Sequence, residues 1–84
     1  MKLIFADEAW EDYLYWQKQD KRMVERINKL IREIQREPFT GVGKPEALKH
    51  ALSGYWSRRI TDEHRMVYRI EGSALLMAQL RFRY

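Results

Sequence analysis

The sequence contains no cysteine, which excludes disulfides and thiolate metal sites and fits a reducing compartment. No apolar run approaches the ~20 residues that a membrane span needs. The opening MKLIFADEAW is too short in its apolar part, and acidic too soon, for a secretory signal. The expected location is therefore the cytoplasm. Histidine is scarce: His50 and His64, fourteen positions apart and without cysteine support, do not make a metal site. Glycine and proline are few, four and two residues. Gly41, Gly43 and Pro45 fall within FTGVGKPEA (39–47), which marks that stretch as a loop. No repeat, linker or low-complexity segment divides the chain, so its 84 residues are expected to form one domain, 1–84.

What is present is ordinary in amount and uneven in placement. A content of 45% hydrophobic and 33% charged residues suits a globular chain and is too apolar for a disordered one. The net charge is +4. Residues 1–43 carry eight Lys or Arg against eight Asp or Glu, whereas residues 44–84 carry eight against four, so the whole excess lies in the second half. Basic residues interleaved with Trp and Tyr suit a nucleic-acid surface, where charge holds phosphates and rings stack on bases. A solvated basic face has the same composition.

The hydrophobic period assigns the elements. KLIF (2–5) reads as a short buried strand. Asp7 is the expected cap of a helix whose apolar stripe passes through Trp10, Tyr13, Leu14 and Gln17, widened by Tyr15 and Trp16. Asp20 is the expected cap of a second helix, with Met23, Val24, Ile27, Leu30, Ile31 and Ile34 at i, i+3, i+4, i+7 spacing. Pro38 ends it. After the loop the period falls to two. Trp56, Arg58 and Ile60 alternate with Tyr55, Ser57 and Arg59; Met66, Tyr68 and Ile70 alternate with Arg65, Val67 and Arg69. Glu71-Gly72-Ser73 reads as a turn, and ALLMAQLRFRY as a long last strand. The fold class is α+β: strand, helical hairpin, then an antiparallel sheet. If Leu76, Ala78, Leu80 and Phe82 pack beneath the helices with Met66, Tyr68 and Ile70, then Arg65, Arg69, Arg81 and Arg83 emerge on the open face.

GVGKPEALKHALSGYWSRRITDEHRMVYRI resembles the YoeB toxins of bacterial toxin–antitoxin pairs, within the RelE/ParE superfamily. DEAWEDYLYWQKQDKR resembles the same family, so the similarity covers essentially the whole chain. The resemblance implies a RelE/ParE-like microbial ribonuclease fold. It also implies an endoribonuclease that cleaves messenger RNA in the ribosomal A site, with no metal or other cofactor, neutralised by a YefM-like antitoxin. The implied partners are mRNA, the ribosome and the antitoxin, with operator DNA reached only through the antitoxin complex; a homodimer is left open, and no membrane is involved. Carried over by motif, the general base falls on Glu46 of GKPE, the phosphate-binding arginine on Arg65 of DEHRMVYR, and the terminal tyrosine on Tyr84. The family pattern ends in His-Tyr, whereas this chain has Arg83 before Tyr84.

Metal-free RNA cleavage needs a base for the 2′-hydroxyl, cations for charge building on the phosphate, and an acid for the leaving 5′-oxygen. Glu46, with Lys44, Lys49 and Arg65 as neighbouring cations, suits the base. Arg65, Arg81 and Arg83 offer the planar donor fork that matches phosphate. Lys44, Lys49, Arg58, Arg59 and Arg81 are the expected RNA or ribosome contacts. His64 alternates with Arg65 and reads as structural; His50, beside the loop, is the more open substitute acid. Two alternatives keep the fold without the reaction: a ParE-like toxin that binds DNA gyrase, and a binding-only module of a repressor complex. GKPE and DEHRMVYR favour the nuclease. A guanidinium stays protonated and releases no proton near neutrality. Arg83→His is therefore expected to speed cleavage of a translated message by up to about 10²–10⁴; an unchanged single-turnover rate would remove the acid role from position 83.

Overall fold

The computed structural model describes residues 1–82. Strand β1 (Lys2–Phe5) leads into helices α1 (Asp7–Gln19) and α2 (Lys21–Arg36), followed by strands β2 (Glu46–Ala47), β3 (Trp56–Arg59), β4 (Arg65–Glu71) and β5 (Ala74–Gln79). A 3₁₀ turn, His50–Leu52, lies between β2 and β3. The strands make one sheet in the order β1-β5-β4-β3-β2. β1 pairs in parallel with β5, so the sheet is mixed, and β2 to β5 are antiparallel. No helix among the described residues is long and apolar enough to cross a membrane.

The helical hairpin covers one face of this sheet. On α2, Met23, Ile27, Leu30, Ile31 and Ile34 are buried at the expected spacing. Asp20 caps the helix by accepting a hydrogen bond from Arg22 N at 3.0 Å, and α2 ends one residue before the Glu37-Pro38 step. α1 departs from the expected stripe. Its buried line is Ala9 and Trp16, while Trp10 and Leu14 stay exposed. Asp7 is its first helical residue rather than its cap, since Ala6 holds the cap position without a side-chain bond. β1 is an edge strand, so Leu3 and Ile4 are exposed where a buried strand was expected.

The last strand carries the larger correction. A two-residue turn at Gly72-Ser73 pairs Glu71 with Ala74 and therefore Ile70 with Leu75 and Tyr68 with Met77. Leu75 and Met77, not Leu76 and Ala78, thus share the helix-facing side with Met66 and Tyr68. The ladder then slips by one residue, Val67 pairing with Gln79, so Ala78 is the extra residue of a β-bulge. The bulge resets the alternation and returns Leu80 to the core. β5 stops at Gln79, short of the long strand expected, and Phe82 is exposed at a left-handed φ of 63°.

Helix α1 holds the segment after β5. Trp16 Nε1 donates to Leu80 O at 2.9 Å, and Asp12 Oδ2 accepts from Leu80 N at 3.0 Å. Phe82 N donates to His64 Nδ1 at 2.8 Å, and the His64 ring meets Trp16 edge-to-face at 4.9 Å. His64 thus has the structural setting expected of it. Burial raises the Asp12 carboxyl above its ordinary pKa; the bond from Leu80 and the charges of Arg81 and His64 oppose this, and Glu8 reinforces it. A carboxyl raised in the folded state favours folding most below its unfolded value and loses that contribution as pH climbs through the folded one. Asp12→Asn is therefore expected to flatten the fall in stability from about pH 4 upward, read as the urea midpoint against pH. A profile parallel to that of the unaltered chain would refute it.

Candidate active site

Pairing across the open face of the sheet aligns Glu46 with Ser57, Ser57 with Val67, and Val67 with Gln79. Residues paired in this way point to the same side, so one lateral row joins four strands. Arg65 enters it from the start of β4. Its Nη2 and Nε donate to Ser57 Oγ at 2.9 and 3.1 Å, and Ser57 is fully buried. Glu46 Oε1 lies 3.8 Å from Arg65 Nη2. That is too long for a hydrogen bond, and with the Glu46 side chain 61% exposed the pair adds little stability. Ser57, not Glu46, fixes the guanidinium. The carboxylate stands beside the cation with its oxygens open to solvent.

Residues 81 and 82 approach the same row through their backbone. Gln79 Nε2 donates to Arg81 O at 2.8 Å and to Phe82 O at 3.3 Å, and Arg65 N donates to Phe82 O at 2.9 Å. Residue 82 is thereby held against β4 at the residue that carries the guanidinium. Arg83 and Tyr84, expected at the site, lie outside the described residues.

The other expected contacts divide. Lys44 and Lys49 are exposed on either side of Glu46, and Lys49 and His50 share a shallow cleft with it. Arg69 is on the open face, 3.0 Å from Glu71 Oε1 and over the Tyr55 ring. Arg59 turns toward Asp62 and a cleft beside α2 lined by Arg26, Lys29 and Glu33. Arg58, expected as an RNA contact, is fully buried on the helix-facing side, because Trp56, Arg58 and Ile60 all have the core parity of β3. Arg81, expected on the open face, stacks its guanidinium 3.5 Å from the centre of the Tyr15 ring on α1. The bulge and the early end of β5 turn it there. Its Nε is buried and has no hydrogen-bond partner among the described residues.

Ser57 and Gln79 were not singled out from sequence. Ser57 had a signal, a small hydroxyl sharing the parity of Arg59 on a strand that neighbours Arg65. Gln79 had none, because the bulge that turns it to this face is invisible in the alternation. Ser57→Ala removes the acceptor of two Arg65 donors and is expected to cost about 1–3 kcal/mol, measured by urea unfolding. A change below a few tenths would show that Ser57 does not hold Arg65.

Known proteins resemble this chain in sequence and in fold. Residues 5–84 match the family described as YoeB-like toxin of bacterial type II toxin-antitoxin system. Toxin YoeB of Escherichia coli K12 is 60% identical over 84 residues, covering 100% of both chains. The solved YoeB/ParE toxin from Agrobacterium tumefaciens superposes with a TM-score of 0.98 at 57% identity over 100% of both chains. A heterotetrameric YoeB-YefM toxin-antitoxin complex from Staphylococcus aureus contains a chain matching at TM-score 0.92 and 44% identity, covering 100% of this chain and 98% of that one. This chain belongs to the YoeB-like toxin family of bacterial type II toxin–antitoxin systems.

Proposed function

We propose that residues 1–84 act as one toxin domain, a ribosome-dependent endoribonuclease that cuts mRNA in the A site and is neutralised by a YefM-like antitoxin. The observation that supports this reading best is the 3.8 Å approach of Glu46 to an Arg65 whose direction is set by Ser57. In the proposed reaction Glu46 takes the proton of a ribose 2′-hydroxyl and the freed oxygen attacks the adjacent phosphorus. The P–O5′ bond breaks, leaving a 2′,3′-cyclic phosphate on one fragment, and the departing 5′-oxygen collects a proton to become a hydroxyl. Arg65 supports charge on the non-bridging oxygens as they become more negative. A base held in a tight bidentate pair would have to break it before accepting a proton; among the described residues Glu46 has no such bond to break.

The proton for the 5′-oxygen comes from Tyr84 or an ordered water, with Arg83 contributing charge alone. Lys44, Lys49 and Arg69 extend the cationic surface along the backbone of the message. Arg81 and Arg58 are not assigned to RNA. An antitoxin segment carrying acidic and apolar groups complements the same face.

Primer extension on a translated message tests the proposal with the purified chain and programmed ribosomes. Cuts are expected with the unaltered chain. Glu46→Gln is expected to slow cleavage by about 10²–10⁴ and Arg65→Met by about 10²–10³, with folding unchanged by circular dichroism. Intact messages together with gyrase inhibition would favour the ParE-like alternative instead.

A further inference from the structure

Arg58 is an arginine wholly shielded from solvent, with no ion-paired carboxylate among the described residues, a costly placement unless carbonyl oxygens replace both. They do. Nη2 donates to Glu37 O at 2.6 Å and Thr40 O at 2.8 Å, Nη1 to Val42 O at 2.9 Å, and Nε to Tyr68 Oη at 3.2 Å. Tyr68 passes the link on, donating to Pro38 O at 2.6 Å. Burial raises the Tyr68 phenol above its ordinary pKa, despite the opposing charge and hydrogen bond of Arg58, which suits its role as a donor. Glu37 follows the last residue of α2, so the guanidinium also lies at the negative end of that helix's dipole.

Three carbonyls between residues 37 and 42 are thus drawn onto Arg58 of β3, and a fourth, that of Pro38, onto Tyr68 of the neighbouring β4. The next residue has no slack: Gly43 O accepts from Arg59 N at 2.8 Å, and a Cβ at Gly43, whose φ is +86°, would meet Arg59 O at 3.1 Å and Arg58 Cβ at 3.2 Å. Only Lys44 and Pro45 separate this clamp from Glu46, which pairs with Ser57. Residues 57 and 58 point to opposite faces, so Ser57 holds Arg65 while Arg58 holds the loop that delivers the carboxylate.

We propose that Arg58 is a positioning residue for Glu46, clamping the 37–43 loop so that the carboxylate meets Arg65. The inference rests on the nuclease reading above for its catalytic consequence, but its structural half stands on the β2 ladder alone. In Arg58→Met, amide exchange at Leu48 and Arg59, whose N–H groups donate to Tyr55 O and Gly43 O, is expected to accelerate at least about tenfold, while the β4–β5 ladder keeps its protection. Single-turnover cleavage at saturating ribosome is expected to fall about 10–100-fold with ribosome affinity unchanged. Adding Arg58→Met to Glu46→Gln should slow cleavage little further, since one variant acts through the other.

A folded Arg58→Met with native protection at Leu48 and Arg59 overturns the proposal, as does an effect fully additive with Glu46→Gln. If the methionine variant does not fold, Arg58→Lys, which retains the charge but not the planar fork, carries the same exchange and rate comparison. Cleavage absent from the unaltered chain would sink the nuclease reading and leave the exchange experiment to judge the clamp.

Discussion

The two-residue turn between β4 and β5 constrains the rest of the molecule. By pairing Glu71 with Ala74 it decides that Leu75 and Met77 face the helices, because a slip of one residue would exchange every side chain between the faces. The same pairing keeps Met66 and Tyr68 in the core and therefore turns Arg65, Val67 and Arg69 to the other side. The bulge at Ala78 then adds a second decision. It returns Leu80 to the core beneath Trp16 and leaves Gln79 outward, where it holds the carbonyls of residues 81 and 82. A hydrophobic requirement on one face and a chemical one on the other are met by one extra residue.

Much of this was legible in the sequence. The α2 stripe, the Asp20 cap, the break at Pro38 and the parity of β3 and β4 follow from local periodicity, which tertiary packing had no reason to override. The motifs GKPE and DEHRMVYR named Glu46 and Arg65, which the pairing of β2 with β3 and β3 with β4 brings together. The face of β5 was also recoverable. A hairpin closing on Gly72-Ser73 must place Leu75 opposite Ile70, a count that outranks the apolar appearance of Leu76 and Ala78. The bulge was not recoverable, since the run from Leu75 to Ala78 is apolar on both parities. Nor was the exposure of Trp10 and Leu14, because helical spacing shows which residues share a stripe but not which of two apolar stripes finds the sheet.

Charge was the least reliable guide. The basic excess of the second half suggested a surface dense in cations, yet Arg58 is internal and Arg81 lies on the Tyr15 ring. Sequence composition counts charges without asking where their stems point, and parity put Arg58 on the core side of β3 from the outset. An arginine in that position is informative in a different way. Its donors meet the Tyr68 hydroxyl and three backbone carbonyls of a segment with no ladder of its own.

The site is therefore assembled from parts of unequal stiffness. Arg65 belongs to a seven-residue strand paired on both sides, and Ser57 fixes it by two hydrogen bonds from a fully buried position. Glu46 belongs to a two-residue strand at the outer edge of the sheet, where a ladder so short has little stability of its own. Oxyanion stabilisation demands donors that do not move as charge develops, whereas a general base must swing between a hydroxyl and solvent to lose its proton. The stiff partner is the one that would meet the phosphate, and the compliant one is the carboxylate. The clamp at Arg58 limits that compliance from behind, restraining the loop's path while leaving the Glu46 side chain free.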